Sequence, residues 1–229
     1  PPILGYCHWF DVPEVCNWQY PAFVRECEGI SLMKKCYVNT ESQKKLVLKN
    51  SEKHFSDEFV KNLKRTIEPY HLPVLDSEVI DKVKKPFKDG LGRQTIVFNH
   101  RTKTYKDFQN FILKVCDVLW QKRKDFKVWI PLLDLGQMKE MGELTWQQRL
   151  EKNGGYIDDT KFDDKESYHR YLSECKVGYS PPQKYNGWSV ATTDGMMSGC
   201  PFIMFDADYY HELNPTADYF NGYDYAIKL

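Results

Sequence analysis

The sequence predicts an α/β protein built on mostly parallel β-sheet. Three observations predict it. Short apolar runs alternate along the chain with longer stretches of helical spacing. The apolar runs are continuous rather than alternating, as strands covered on both faces require. The order of elements in the second half reads β-α-β-α-β-α-β, the pattern of repeated βαβ units.

Each element has its own justification. Ile3-Leu4-Gly5-Tyr6-Cys7 and Cys36-Tyr37-Val38-Asn39 read as strands, and Tyr20 to Met33 between them has helix-like spacing. Thr40 is placed to cap a helix through Glu41 to Leu46, and a second helix runs from Ser56 to Arg65. Asp81 to Gly92, rich in Pro and Lys, reads as a linker. Thr95-Ile96-Val97-Phe98 is a strand by its β-branched and aromatic run. From Lys106 to Lys122, Phe108, Phe111, Ile112, Val115 and Leu119 fall on one helical face. Phe126 to Ile130 is the next strand, Ser167 to Cys175 a helix, and Val177-Gly178-Tyr179 a short strand. A helix over Ser189 to Ser198 precedes the strand Phe202-Ile203-Met204-Phe205.

The 229 residues suit one large domain or two small ones. Hydrophobic residues make up 41% and charged residues 28%, with 32 Lys plus Arg against 32 Asp plus Glu, which excludes a disordered or collagen-like chain. Neutrality argues against a dedicated nucleic-acid binder, but charge is uneven. Residues 34–88 carry 13 Lys/Arg against 8 Asp/Glu, residues 101–128 carry 8 against 3, and residues 134–175 carry 6 against 10. A basic lobe of this kind attracts phosphates, although solvated helix faces give the same count. No apolar run approaches the ~20 residues that span a bilayer. The start, Pro1-Pro2-Ile3-Leu4-Gly5, lacks Met and the features of a signal peptide, so the chain reads as a fragment or a processed product. Cys7, Cys16, Cys27, Cys36, Cys116, Cys175 and Cys200 are odd in number and show no C-x-x-C spacing. Scattered thiols fit small buried hydrophobes in a reducing, cytoplasmic setting.

Parallel sheets bind ligands outside the carboxyl ends of their strands, so the loops after strands hold the candidates. The first strand runs into His8-Trp9-Phe10-Asp11 and the third into Asn99-His100-Arg101, with Lys106 at the head of the long helix. A guanidinium grips a diphosphate bidentately and an ammonium adds a point charge. Lys106 at a helix start is opposed by the macrodipole and so needs a reason for its place. The Val177 strand leads through Ser180 and Asn186-Gly187-Trp188-Ser189 into a helix carrying Asp194. Gly187 suits a tight turn or a close backbone approach, and amides at Trp188 to Val190 suit a phosphate. Asp194 suits a ribose diol, and is equally a helix-surface carboxylate. Gly199 before Pro201 ends the helix.

The stretch Asn186 to Glu212 resembles the donor-binding motif of retaining glycosyltransferases of the GT-B fold, the large family-4-like group. That family shows E-x7-E and then A-M-A-x-G-x-P-V-I. Here the frame reads Asn186-x7-Asp194, then Gly195-Met196-Met197-Ser198-Gly199-Cys200-Pro201-Phe202-Ile203. Phe98-Asn99-His100-Arg101 with Tyr105-Lys106-Asp107 is similar to the family's G-R…K-G segment. Cys36 to Gln43 resembles the segment closing the N-terminal domain, and His8 the histidine that reaches the donor sugar. The resemblance is strongest over residues 94–212. It departs at both glutamates, replaced by the neutral Asn186 and the shorter Asp194, and family members are longer at both ends.

The resemblance implies a GT-B-like chain of two Rossmann-like parallel-sheet domains, the N-terminal one incomplete: residues 1–83 on the acceptor side and residues 84–229 binding the donor. It implies transfer of a sugar from a nucleotide-diphosphate sugar to an acceptor hydroxyl with retention, with no metal and no cofactor. Arg101 and Lys106 would stabilise the leaving diphosphate. His8, Asn186, Gly187, Trp188, Ser189 and Asp194 would bind the donor. The acceptor (glycan, lipid, small molecule or modified nucleic acid) is not named by these residues. Trp9 and Trp188 suit stacking on a sugar or base, and Asp206-Ala207-Asp208 reads as a loop feature rather than a metal site. Other readings are a non-catalytic nucleotide-sugar-binding or interaction module, a sugar-nucleotide epimerase, and a DNA-modifying transferase suggested by charge alone.

Overall fold

The structure is a computed structural model that describes residues 1–7, 10, 12, 20–71, 90–102, 107–134, 148, 151–152, 155–183 and 187–226. The chain forms two compact units. The first comprises Pro1–Pro73, Lys184–Trp188 and His211–Leu213, and the second Val74–Gln183, Ser189–Tyr210 and Asn214–Leu229. The expected linker lies largely outside the described residues; its last three residues, Gly90 to Gly92, run through a turn.

In the first unit, β1 (Leu4–Cys7), β2 (Lys35–Val38) and β3 (Ile67–Pro69) make a parallel sheet in the order β1-β2-β3. Helices Tyr20–Ser31, Glu41–Ser51 and Asp57–Thr66 connect them. The cap read from sequence at Thr40 is present, and Ser56, read as the first residue of the next helix, is that helix's cap. Thr40 accepts from the Gln43 amide and Ser56 from that of Phe59. The Gln43 Oε1 in turn accepts from the Asn39 N–H at 3.0 Å. Glu212 completes this helix start: its carboxylate accepts from the amides of Glu41 and Ser42, both at 2.7 Å. A carboxylate there satisfies two donors that the helix cannot pair internally. Phe23, Cys27, Val38, Val47 and Leu63 are fully buried and form the core.

In the second unit, β4 (Gln94–Val97), β5 (Phe126–Trp129), β6 (Ile157–Asp158), β7 (Val177–Ser180), β8 (Phe202–Phe205) and β9 (Asp218–Phe220) form one parallel sheet. Its order is β6-β5-β4-β7-β8-β9. The chain winds outward from β4 through β5 to β6, then returns to β7 on the other side of β4. The direction of winding reverses between β4 and β7, and that is where a doubly wound sheet leaves a crevice at its carboxyl edge.

The long helix departs from the expected regular α-helix. It begins as Phe108–Asn110, passes through a π-helical turn at Phe111–Cys116 and resumes as α-helix at Asp117–Lys122. Phe111, Ile112, Val115 and Cys116 of the wider turn are all buried, and so is Trp120 after them. Asp107 precedes it at φ 53°, a left-handed conformation at the position where the resembled family carries Gly. Its carboxylate compensates locally. It accepts from Asn110 Nδ2 at 2.6 Å and from the Tyr223 hydroxyl.

Helix Val190–Met197 lies close to the sheet because Gly195 and Gly178 make room for one ring. A Cβ on either would stand 2.0 Å or 2.2 Å from a carbon of Phe202. Gly199, at φ +78°, ends this helix as expected. The Asp206-Ala207-Asp208 loop is shorter than expected, because Asp208 opens a further helix, Asp208–Leu213, as an acidic first-turn residue. Cys7, Cys27, Cys36, Cys116, Cys175 and Cys200 are free thiols, all buried except the half-buried Cys7; burial pushes those of Cys27 and Cys200 up to about 12. Cys16 lies outside the described residues.

Candidate functional site at the crevice between β4 and β7

The crevice is built from the two segments that leave the central strands. After β4 the chain runs through Phe98, whose amide donates to the Trp129 carbonyl at 2.9 Å, to the fully buried Asn99. Asn99 Nδ2 donates to the Ala191 carbonyl at 2.7 Å and to the Tyr168 hydroxyl at 3.0 Å. One amide thus joins the carboxyl end of β4 to the first turn of helix Val190–Met197 and to helix Lys165–Glu174. Two residues on, Arg101 is exposed to solvent, and Thr102 is buried with its Oγ1 accepting from the Asp134 amide at 3.0 Å.

After β7 a chain of hydroxyls fixes the start of the helix. Ser180 and Ser189 each stand 2.7 Å, Oγ to Oγ1, from Thr192. Ser189 is the N-cap, and its Oγ accepts from the Thr192 amide. The helix therefore begins at Val190, the last of the three amides expected at Trp188 to Val190. Val190 and Ala191 occupy the first two helical positions, whose N–H groups have no intrahelical acceptor. Asp194, half-buried, lies one turn along. Its charge adds to burial in raising the Tyr168 phenol far above its usual value, against the hydrogen bond from Asn99. Ser198 at the far end donates to the Asp194 carbonyl at 2.7 Å and meets His169 Nδ1 at 2.7 Å.

Arg101, Ser189 and Asp194 of the expected site thus all belong to the second unit. Gly187 and Trp188 belong to the first, where the Trp188 ring meets that of His71 edge-on at 5.1 Å. His8, Trp9, Lys106 and Asn186 lie outside the described residues.

Sequence reading missed Asn99 as a bridge, Tyr168 as its partner, and a buried ion pair at the next strand ends. Lys127 Nζ stands 2.7 Å from Asp158 Oδ2, with side chains 12% and 7% exposed. Tyr171 donates to the same oxygen at 2.5 Å, and Thr160 donates its N–H and hydroxyl to Oδ1 at 3.0 and 2.6 Å. Burial would raise this acid, but its donors outweigh burial and hold it at about 2. Tyr171 is pushed up to about 12 by burial and by its carboxylate partner. These residues lie far apart in sequence, and only the strand order brings them together. Among the described residues no cluster of His, Cys, Asp and Glu is placed to hold a metal, and no helix is long and apolar enough to cross a membrane.

No protein-family model matches the chain, and no curated protein sequence does. Solved structures match nearly all of it. A UDP-forming α,α-trehalose-phosphate synthase from Burkholderia vietnamiensis is 16% identical over 99% of this chain and 59% of that one, with a TM-score of 0.64. TarM is 14% identical over 99% of this chain and 42% of that one, with a TM-score of 0.66. Anabaena HepE, in complex with UDP and glucose, is 11% identical over 97% of this chain and 58% of that one, with a TM-score of 0.63. The chain spans less than two thirds of the length of each. At such identities the likeness concerns the fold, the Rossmann-like parallel-sheet arrangement of GT-B proteins.

Proposed function

We propose, on the premise of this GT-B-like fold, that the chain transfers a sugar from a nucleotide-diphosphate sugar to an acceptor hydroxyl, with retention and without a metal. The observation that carries this reading is the crevice between β4 and β7. Arg101 leaves one of these strands, the capped helix Val190–Met197 follows the other, and Asn99 holds the two together at 2.7 Å.

In the reaction, the bond from the anomeric carbon to the diphosphate oxygen breaks and its electron pair goes to that oxygen. The acceptor oxygen forms the new bond to the same carbon on the same face, and its proton passes to the departing diphosphate oxygen. Negative charge grows on the leaving diphosphate. Arg101, with Lys106 five residues on, is suited to meet it, and the amides of Val190 and Ala191 add oriented dipoles. Asp194 would accept from a ribose diol, and Ser189 holds the helix start in register. His8, Asn186, Gly187 and Trp188 are proposed donor contacts on the strength of the family resemblance. No side chain is nominated as a nucleophile, because retention through front-face attack requires none.

The neutral Asn186, where the resembled family has a sugar-binding glutamate, favours a second reading: a module that binds a nucleotide sugar without turning it over. One experiment tests both. The melting temperature is measured with UDP, GDP, ADP and their common sugar conjugates, for the native chain and Arg101→Ala, and nucleotide release is followed in the same samples. A ligand that binds only the folded state raises the midpoint by mass action. Stabilisation that Arg101→Ala abolishes, with slow nucleotide release, supports transfer. Stabilisation without release supports the binding module. A folded chain that none of them stabilises refutes both.

A further inference from the structure

The hydrogen bonds around Asn99 leave one donor and one acceptor unspent beside the crevice. Asn99 Nδ2 carries two hydrogens and uses both, one on the Ala191 carbonyl at 2.7 Å and one on the Tyr168 hydroxyl at 3.0 Å. Ala191 fixes the orientation of this amide, because reversing it would set Oδ1 against a carbonyl oxygen. Tyr168 is thus the acceptor in its bond to Asn99, and its own proton remains. Burial pushes the phenol up, so that proton is present at neutral pH. Among the described residues nothing accepts it. The rings on either side are engaged elsewhere. Trp129, 5.8 Å away between centroids, gives its N–H to the Thr160 carbonyl, and His169, at 5.4 Å, turns Nδ1 to Ser198.

The unspent acceptor is Asn99 Oδ1, which has no donor among the described residues although Asn99 is fully buried. Unpaired buried acceptors are few in native proteins. This one is bonded to the same carbon as the NH2 group that meets Tyr168, so it and the phenol proton are close neighbours at the carboxyl end of β4. Asp194 belongs to the same cluster. It lies three residues after Ala191 on one helix, so the two share a face, and Asn99 ties the phenol to that face. The Asp194 charge reaches the phenol, but no hydrogen bond joins them.

A group lying between the phenol and the carboxylate has to accept from one and donate to the other. A hydroxyl does both, whereas a methylene does neither and a carbonyl only accepts. We infer that Tyr168 is a specificity-determining residue of this crevice, which donates its proton to a ligand hydroxyl that in turn donates to Asp194; this rests on the nucleotide-sugar reading above. Tyr168 then selects for a hydroxyl at one position of the ligand. The diphosphate does not fit there, because its oxygens only accept and share the negative sign of Asp194. Two other parts of a nucleotide sugar carry hydroxyls, the ribose and the transferred sugar, and the chemistry of the contact is the same for both.

Titration calorimetry on the native chain and Tyr168→Phe tests this with UDP, GDP and ADP, their 2′-deoxy and 3′-deoxy forms, their glucose conjugates and inorganic pyrophosphate. Phenylalanine keeps the ring and removes the hydroxyl alone. If the bridged hydroxyl is on the ribose, one deoxy form should bind the native chain about tenfold more weakly than its parent nucleotide. Tyr168→Phe should then weaken the parent about fivefold, the worth of one neutral hydrogen bond, and leave that deoxy form unchanged. If the hydroxyl is on the transferred sugar, Tyr168→Phe should weaken a glucose conjugate about fivefold and leave the free nucleotides unchanged. Pyrophosphate should bind both proteins alike. A Tyr168 that acts only through Asn99 on the helix start would weaken every ligand by one factor, pyrophosphate included, and that result overturns the inference. Affinities that Tyr168→Phe leaves unchanged throughout also overturn it. So does a native chain for which neither the ribose hydroxyls nor the sugar alter affinity, a result that needs no variant. In each of these cases the nucleotide reading stands. A folded native chain that binds no nucleotide and no conjugate overturns both.

Discussion

Replacing Asp158 by Asn removes one charge and almost no volume, so its cost isolates the buried ion pair. The carboxylate sits at about 2, against an ordinary 3.8, because Lys127, Thr160 and Tyr171 donate to it strongly enough to overcome burial. At about 1.4 kcal/mol for each pKa unit, that displacement corresponds to about 2.5 kcal/mol of stability at neutral pH. The variant also leaves the Lys127 ammonium, 12% exposed, without its counter-charge, which moves the loss towards the ~3–5 kcal/mol of a broken buried pair. For a unit of this size the melting temperature should fall by about 5–12 °C. The pH dependence has a definite sign. A depressed acid contributes its stability above its unfolded value near ~4 and loses it as pH falls towards the folded value. Asn does not titrate, so the gap between native chain and variant should narrow by about half of the 2.5 kcal/mol by pH 3. Urea denaturation at pH 7, 5, 4 and 3 measures this. A gap below about 0.5 kcal/mol at pH 7, the range of an ordinary surface change, or one that stays constant between pH 5 and 3, would refute the account of this network.

Two more perturbations probe the backbone around the site. Gly195→Ala should cost about 1–3 kcal/mol in urea denaturation, because its Cβ meets the Phe202 ring at 2.0 Å, and Phe202→Leu should recover part of the loss. Asp107→Gly and Asp107→Ala both remove the bonds to Asn110 and Tyr223, but only Gly is at ease at φ 53°. Gly should therefore be more stable than Ala by about 1 kcal/mol in the same assay, and equal stabilities would mean that the left-handed conformation carries no strain.

What was legible in the sequence follows from how much of each signal is local. β1, β2, β4, β5, β7 and β8 announced themselves as apolar or aromatic runs and Thr40 as a cap, while Ser56 and Ser189, read as first helical residues, are caps in the structure. β3, β6 and β9 did not. Ile67-Glu68-Pro69, Ile157-Asp158 and Asp218-Tyr219-Phe220 are too short and too polar to read as strands, and each becomes one through pairing with its parallel neighbour at a sheet edge. The same limit applies at the site. Arg101 was legible because it follows a strand and precedes a lysine at a meaningful spacing. The roles of Asn99 and Tyr168 were not, because what brings them together is the order of strands in the sheet. Phe202 was legible as a strand residue, but its role as the ring that Gly178 and Gly195 accommodate appears only in three dimensions.

The π-helical turn at Phe111–Cys116 has a consequence for how this helix tolerates change. It is an insertion absorbed without a loop, and it leaves the two halves of the helix out of phase by about the 100° that one residue contributes. Each half is anchored separately. The first packs Phe108 and Phe111 on Phe98, and the second sinks Trp120 onto Phe126, with its indole N–H bonded to the Phe126 carbonyl at 3.2 Å. Losing one residue from the turn would restore an uninterrupted α-helix with both anchors still facing the core, whereas winding the same residues as regular α-helix would rotate one anchor away by about 100°. The irregular stretch is therefore the part of the helix that keeps both ends in register, and regularising it at this length would break that register.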